Sequence, residues 1–303
     1  MSASYVSALA AAKEAAGEQH YPQGTLYVVA TPIGNLADIS LRALHVLTLA
    51  DTVACEDTRH TQQMLRAYGI DKSAGQLLAV HQHNEAEAAN AVVDRLRQGQ
   101  RVAYVSDAGT PGISDPGARL VAAVQGQGLR ALPLPGASSI TALISVAGCA
   151  SDTGGGTGFV FEGFLPTKAT ERTHAVAALQ TEVRAVALLE APHRIEATAA
   201  ALGVLGERKV TVGRELTKQF EEIATVPAAA LAAWFAADAN RLRGEFALVL
   251  HPAPVAEAAG QDTRVLQLLL AELPLKTAVK LAAEITGEPR NALYDLALTL
   301  KKS

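Results

Sequence analysis

The chain has 303 residues, 49% of them hydrophobic, and 26 Lys and Arg stand against 30 Asp and Glu for a net charge of −4. That length suits about two domains with sizeable cores, and the acidic balance makes no electrostatic case for nucleic acid over the whole surface. The two cysteines, Cys55 and Cys149, lie far apart without Cys-x-x-Cys spacing, which argues against a disulfide framework or a zinc finger and fits a reducing, cytoplasmic compartment; no apolar run reaches the roughly 18 residues of a membrane span.

Residues 1–23 are Ala-rich and read as a frayed N-terminal extension, with a surface helix as the alternative. An α/β domain is expected over 24–150. Gly24–Ala30 reads as a buried strand ending in the stiff turn Thr31-Pro32-Ile33-Gly34-Asn35, and a helix follows over about Ser40–Leu49. Thr52–Cys55 is a second strand, ending in Glu56-Asp57-Thr58-Arg59, with a helix from about Thr61 to Tyr68 closed by Gly69. Leu77–Val80 is a third, ending in His81-Gln82-His83-Asn84-Glu85, with a helix to Gln98.

The fourth strand, Val102–Val105, leads into the loop around which the chain is organised, Ser106-Asp107-Ala108-Gly109-Thr110-Pro111-Gly112-Ile113-Ser114-Asp115-Pro116-Gly117. Most βα connections take about 2–6 residues, and this one is longer. Its glycines permit close backbone approaches and its prolines stiffen it. Asp115 is placed to cap, and Pro116 to open, a helix running through Gln125. Leu129–Leu134 is the fifth strand, passing into Pro135-Gly136-Ala137-Ser138-Ser139, where Ser138 stands ready to cap a helix toward Ala147. Strands alternating with helices imply a parallel sheet. All these loops then share its carboxyl edge, where open α/β sheets bind ligands.

The run Thr-Gly-Gly-Gly-Thr-Gly between Cys149 and Gly158 has linker composition, and the domain boundary is placed there. A second α/β domain follows over 151–252. Its expected strands are Phe159–Phe161, Ala185–Leu189, Lys209–Val212 and Phe246–Leu250, and its helices are about Lys168–Leu179 and Arg194–Leu205. The tail, 262–303, reads as two or three helices. Lys276–Ile285 and Arg290–Leu298 flank Thr286-Gly287-Glu288-Pro289 either as a helix-turn-helix or as a plain helical hairpin.

No Gly-x-Gly-x-x-Gly follows a strand, and no P-loop, His-Glu-x-x-His or Gly-x-Ser-x-Gly occurs. His81 and His83 have no further ligand near them in sequence, so no metal is expected. Small residues, prolines, hydroxyls and carboxylates remain. They suit a bulky, partly apolar, positively charged cofactor better than a phosphate-rich one, with Asp107 placed to accept its amino or hydroxyl groups.

The Thr31–Asn35, Glu56–Arg59, Ser106–Gly117 and Pro133-Leu134-Pro135-Gly136-Ala137-Ser138 motifs together resemble the tetrapyrrole methylase superfamily, the class III methyltransferases. That resemblance implies two α/β domains with S-adenosylmethionine in the cleft between them. Phe161-Glu162-Gly163-Phe164-Leu165-Pro166, Glu190-Ala191-Pro192-His193-Arg194 and Arg214-Glu215-Leu216-Thr217-Lys218 narrow it to members that methylate the ribose 2′-hydroxyl of a cytidine in the decoding region of 16S rRNA, within the 30S subunit. The tail resembles their C-terminal helical extension. By motif position the resemblance implies cofactor contacts at Pro32, Asp107, Gly109, Thr110, Ile113, Ser138 and Ser139, closed by Glu190, Ala191 and Arg214 of the second domain; it also implies a homodimer. Glu56, Asp57, His83 and Glu215 are candidates for a base that takes the hydroxyl proton, and the sequence does not choose among them. Arg59, Arg194 and Lys218, with Arg214, are candidates for RNA phosphates. The rival readings are a superfamily enzyme acting on a porphyrin-like ring or a protein side chain, and a non-catalytic RNA-binding assembly factor.

Overall fold

The computed structural model describes residues 5–81, 83–149, 158–254 and 259–300. The Gly-rich run read as a linker lies mostly outside the described residues. Contacts divide the chain into a unit ending at Pro252 and a second beginning at Ala253.

The first unit holds two sheets. Strands β1 (Thr25–Val29), β2 (Thr52–Cys55), β3 (Leu77–Ala79), β4 (Val102–Val105) and β5 (Arg130–Leu134) form one, in the order β3-β2-β4-β1-β5 with every pair parallel. Strands β2 and β4 are buried along their whole length, as unbroken apolar runs in a doubly covered parallel sheet should be. Alternation along β1 sends Tyr27 and Val29 into one core with Leu44, Leu47, Leu65 and Tyr68, and Leu26 into another with Val92, Leu96, Tyr104 and Leu120.

From Tyr5 onward the N-terminal extension is the helix given as the alternative, docked rather than frayed. Helix α1 (Val6–Ala16) packs against α2 (Leu41–Leu49), with Ala12 and Ala16 each 1% exposed. Tyr5, just before it, meets the Tyr68 ring edge-on at 5.3 Å. Its alanines suit both a helix and a close approach to its neighbour. Buried Lys72 then closes α2, its Nζ donating to the carbonyls of Thr48 (3.0 Å) and Ala50 (2.5 Å). Helices α3 (Thr58–Ala67), α4 (Glu85–Arg97) and α5 (Gly117–Gly126) complete this lobe.

Helix α6 (Ser139–Ala147) leaves the first sheet but packs on the second. Its Leu143 and Ala147 share a core with Ala185, Leu216, Ala247 and Val249. The second sheet is β6 (Phe159–Phe164), β7 (Ala185–Glu190), β8 (Lys209–Arg214), β9 (Glu222–Pro227) and β10 (Phe246–Leu250), in the order β6-β7-β10-β8-β9. Only β6 and β7 pair in parallel. Strand β9 is absent from the sequence expectation. It is a half-exposed edge strand, carries Glu222 and ends on Pro227, so it lacks the apolar run that marks its neighbours. Helices α7 (Ala169–Leu179), α8 (Ile195–Leu202) and the equally unexpected α9 (Leu231–Ala236) complete this lobe.

The second unit is three helices, α10 (Ala259–Glu272), α11 (Leu275–Thr286) and α12 (Arg290–Leu300), around Leu266, Val279, Ala282, Leu293 and Ala297. Gly287, at φ 78°, ends α11 in the left-handed conformation of a helix C-cap. Among the described residues no helix is long and apolar enough to cross a membrane.

Candidate active site

The loops leaving β1, β4 and β5 are sewn together. Thr31 and Gly109 exchange backbone hydrogen bonds of 2.9 and 3.0 Å. The Thr110 hydroxyl donates to the Ala137 carbonyl at 3.0 Å. Within the long loop Asp115 is not the expected N-cap, a position that Pro116 takes one residue later. Helix α5 begins at Gly117, and the Asp115 carboxylate accepts the N–H groups of Gly112, Ile113 and Gly117 and the Tyr104 hydroxyl. Gly109 and Gly112 have positive φ, and so does Ser114 at 69°, a conformation costly for a residue with a Cβ.

Between the two sheets lies a cleft of about 360 Å³. Ligand sites span roughly 300–1,000 Å³, and this cleft falls within that range. Of the residues expected to contact a cofactor, Gly109, Thr110, Ile113, Ser138, Ser139, Glu190 and Ala191 line it. Ser138 occupies the N-cap position of α6, yet its side chain makes no capping bond, which leaves the hydroxyl to the cleft.

Pro32, Asp107 and Arg214 do not line the cleft. Pro32 is buried and stiffens its turn. Asp107 joins two loops, with its N–H donating to Glu56 Oε1 (3.1 Å) and its Oδ1 accepting from the Asp57 N–H (3.2 Å). Arg214 is 9% exposed, donates to the carbonyls of Phe220 and Arg243, and pairs with Glu222. It braces the turn between β8 and β9.

Two of the expected RNA contacts are likewise committed within the protein. Arg194 pairs at 3.1 Å with Glu190, whose side chain is fully buried, and donates to the Leu165 carbonyl. Glu190 also accepts from the Ala191 N–H (2.9 Å) and the Thr198 hydroxyl (2.5 Å). Lys218 Nζ bonds Glu215 (2.8 Å) and Glu245 (3.0 Å). Arg59, by contrast, is exposed in the first turn of α3.

None of the four expected bases stands in the cleft wall. Asp57 caps α3, and the N–H groups of His60 and Arg59 pull its pKa down. Burial alone would raise the pKa of Glu215, but hydrogen bonds from Lys218 and the Glu245 N–H outweigh it and the net shift is downward. His83 is exposed after the outermost strand β3, three strand positions from β1 and therefore about 14 Å away. Burial pushes Glu56 upward, opposed by the Asp107 N–H, and that bond ties it to the residue before Ala108 of the wall without placing it in the wall.

The wall also contains residues that sequence reasoning did not single out. Ile33, Phe164, Pro192 and Leu216 sit inside motifs already quoted. Phe246 and Ala247 open β10 and carried no signal beyond an apolar run, and Glu245 immediately precedes them. The wall bears the carboxylates of Glu190 and Glu245 and no Lys or Arg among the described residues, a donor set that fits a cationic, partly apolar ligand.

The family model described as Tetrapyrrole (Corrin/Porphyrin) Methylases matches residues 25–232. The chain belongs to the tetrapyrrole methylase family. This methylase is an S-adenosylmethionine-dependent methyltransferase. A second family model, the RsmI C-terminal HTH domain, matches its residues 256–301. It is 48% identical to a Neisseria meningitidis protein named Ribosomal RNA small subunit methyltransferase I, over 92% of this chain and 94% of that one. Proteins of the same name from Pseudomonas aeruginosa and Escherichia coli O157:H7 are 48% and 46% identical, over 91% of this chain and 97% and 95% of theirs. In fold the methylase is similar to cobalt precorrin-4 methyltransferase, with a TM-score of 0.55 and 17% identity over 77% of this chain and 98% of that one. It is also similar to diphthine synthase, with a TM-score of 0.56 and 14% identity over 75% and 90%.

Proposed function

We propose that the cleft holds S-adenosylmethionine beside a cytidine of the 16S rRNA decoding region in the 30S subunit and directs methyl transfer to the ribose 2′-oxygen. The observation that carries this reading is the cleft itself, acid-bearing and free of cationic side chains, in a chain similar along nine-tenths of its length to rRNA methyltransferases.

When bound, the donor supplies a methyl group already activated by its sulfonium. The protein's task is then alignment, which alone can remove several kcal/mol of a bimolecular barrier. The backbone at Gly109 and Thr110 offers close contacts, and the hydroxyls of Ser138 and Ser139 offer hydrogen bonds. Leu189, Leu216 and Phe246 exclude water from the cleft floor. Glu190 is held in the wall by the Ala191 N–H, the Thr198 hydroxyl and its ion pair with Arg194. The 2′-hydroxyl proton leaves to solvent at the open mouth. Arg59 attracts RNA phosphate, and attack by a 2′-oxygen restricts the reaction to RNA.

The enzyme works in the cytoplasm as a homodimer. In support, the free edge strand β6 exposes Phe159 and Phe161, apolar surface for a second copy to cover; analytical ultracentrifugation checks the pairing. Purified protein, labelled S-adenosylmethionine and 30S subunits lacking the modification should yield 2′-O-methylcytidine in 16S rRNA. Transfer instead to a porphyrin or a peptide, or donor binding without turnover on any RNA, rejects the reading.

A further inference from the structure

We propose that Phe164 is the platform on which the base of the target nucleotide stacks, with Ile113 closing the slot from the opposite lobe. The inference rests on the RNA-methylation reading and adds to it the residue that receives the base.

Phe164 owes its place to one extra residue. Strand β6 is irregular between Phe161 and Gly163: Phe161 pairs with Ala187, Gly163 with Leu188 and Phe164 with Leu189, so Glu162 is inserted. Without that bulge Gly163 would stand beside Leu189, which lines the cleft, and Phe164 would fall beyond it on the opposite face. Bulges on edge strands commonly re-aim a side chain near a site. Gly163, at φ 76°, supplies the backbone freedom this one needs.

The other side of the slot has the same construction. The position a Cβ would take on Gly163 is 3.9 Å from Ser114 Oγ, so two left-handed residues, one from each lobe, face each other. Each adjoins an apolar residue that lines the cleft yet stays exposed: Ile113 at 37% and Phe164 at 48%. The ring and Ile113 together make an exposed apolar surface at the rim of the site, the kind a ligand covers.

Position decides which ligand. Gly109, Ile140, Leu216 and Phe246 of the cleft wall are buried, whereas Ile113 and Phe164 keep exposed surface. An acceptor nucleotide arriving from solvent therefore meets the ring first. Unstacked RNA bases are held by aromatic faces, and a target base has to leave its stack to be modified.

Replacing Phe164 by Ala should raise the KM for 30S subunits roughly 5- to 150-fold. Donor affinity measured by calorimetry should fall by a smaller factor than KM rises, and Phe164→Tyr should restore KM. Equal losses in donor affinity would place the ring against the donor and overturn the proposal, as would an unchanged KM. In Phe164→Trp, a short cytidine-containing RNA should quench the new indole's fluorescence over the background of Trp234; no quenching overturns the platform. That readout needs no turnover. A wild type that methylates no RNA therefore rejects the underlying reading, while the quenching result still decides the platform.

Discussion

The Lys218 side chain lies across Gly34 so closely that a Cβ on Gly34 would stand 2.4 Å from Lys218 Cγ. This contact joins the loop after β1 to the loop after β8, and Lys218 Nζ goes on to Glu215 and Glu245. Gly34→Ala should cost about 1–3 kcal/mol by overpacking. Combining it with Lys218→Ala should cost less than the sum, by at least about 0.5 kcal/mol. Denaturant titration of the four proteins checks this, and strict additivity would show that the two residues are not in contact.

The same lysine sets a pH dependence. Glu215 has its folded pKa lowered below 4.5, because the bonds from Lys218 and the Glu245 N–H outweigh burial; Lys218 has its own raised above 10.5, because its two carboxylate bonds outweigh burial. A lowered acid stabilises above its unfolded pKa and loses that contribution as pH falls through the folded value; a raised base loses its contribution as pH climbs through the folded value. The difference in Tm between wild type and Lys218→Met should therefore be flat near neutrality. It should shrink as pH drops below about 4.5 and again as it passes about 10.5.

Arg194 and Arg59 should separate cleanly. Arg194→Ala strands the buried Glu190 carboxylate and should cost roughly 3 kcal/mol of stability. Arg59→Ala should leave Tm unchanged, weaken RNA binding and lower the salt-dependence slope by about 1. Thermal melts and RNA binding at two salt concentrations distinguish the two.

Two serines at helix starts should also behave oppositely. The Ser40 hydroxyl accepts the Ala43 N–H at 3.1 Å and caps α2, whereas Ser138 makes no such bond. Ser40→Ala should cost about 1 kcal/mol of stability and leave donor affinity intact. Ser138→Ala should spare stability and weaken donor binding about two- to tenfold, read by calorimetry.

The first sheet was legible because its strands are short apolar runs, those of β1, β4 and β5 closed by Gly- and Pro-bearing turns, and parallel pairing puts the loops after all five on one edge. What the sequence could not show was which polar groups would consume one another. Glu190 and Arg194 are four residues apart, but their pairing depends on burial at the end of β7. Lys218 meets Glu245 only because β8 and β10 are neighbours. His83 shares a motif style with the other loops, yet its strand lies at the far margin of the sheet. Phe164 was hidden for a different reason: counting alternate residues along β6 fails at the inserted Glu162.

Helix α6 begins at the serines that line the cleft and ends embedded in the apolar face of the second sheet. Whatever the serines hold is thus bolted to the far lobe's core, and loosening Leu143 or Ala147 should slacken donor binding along with stability.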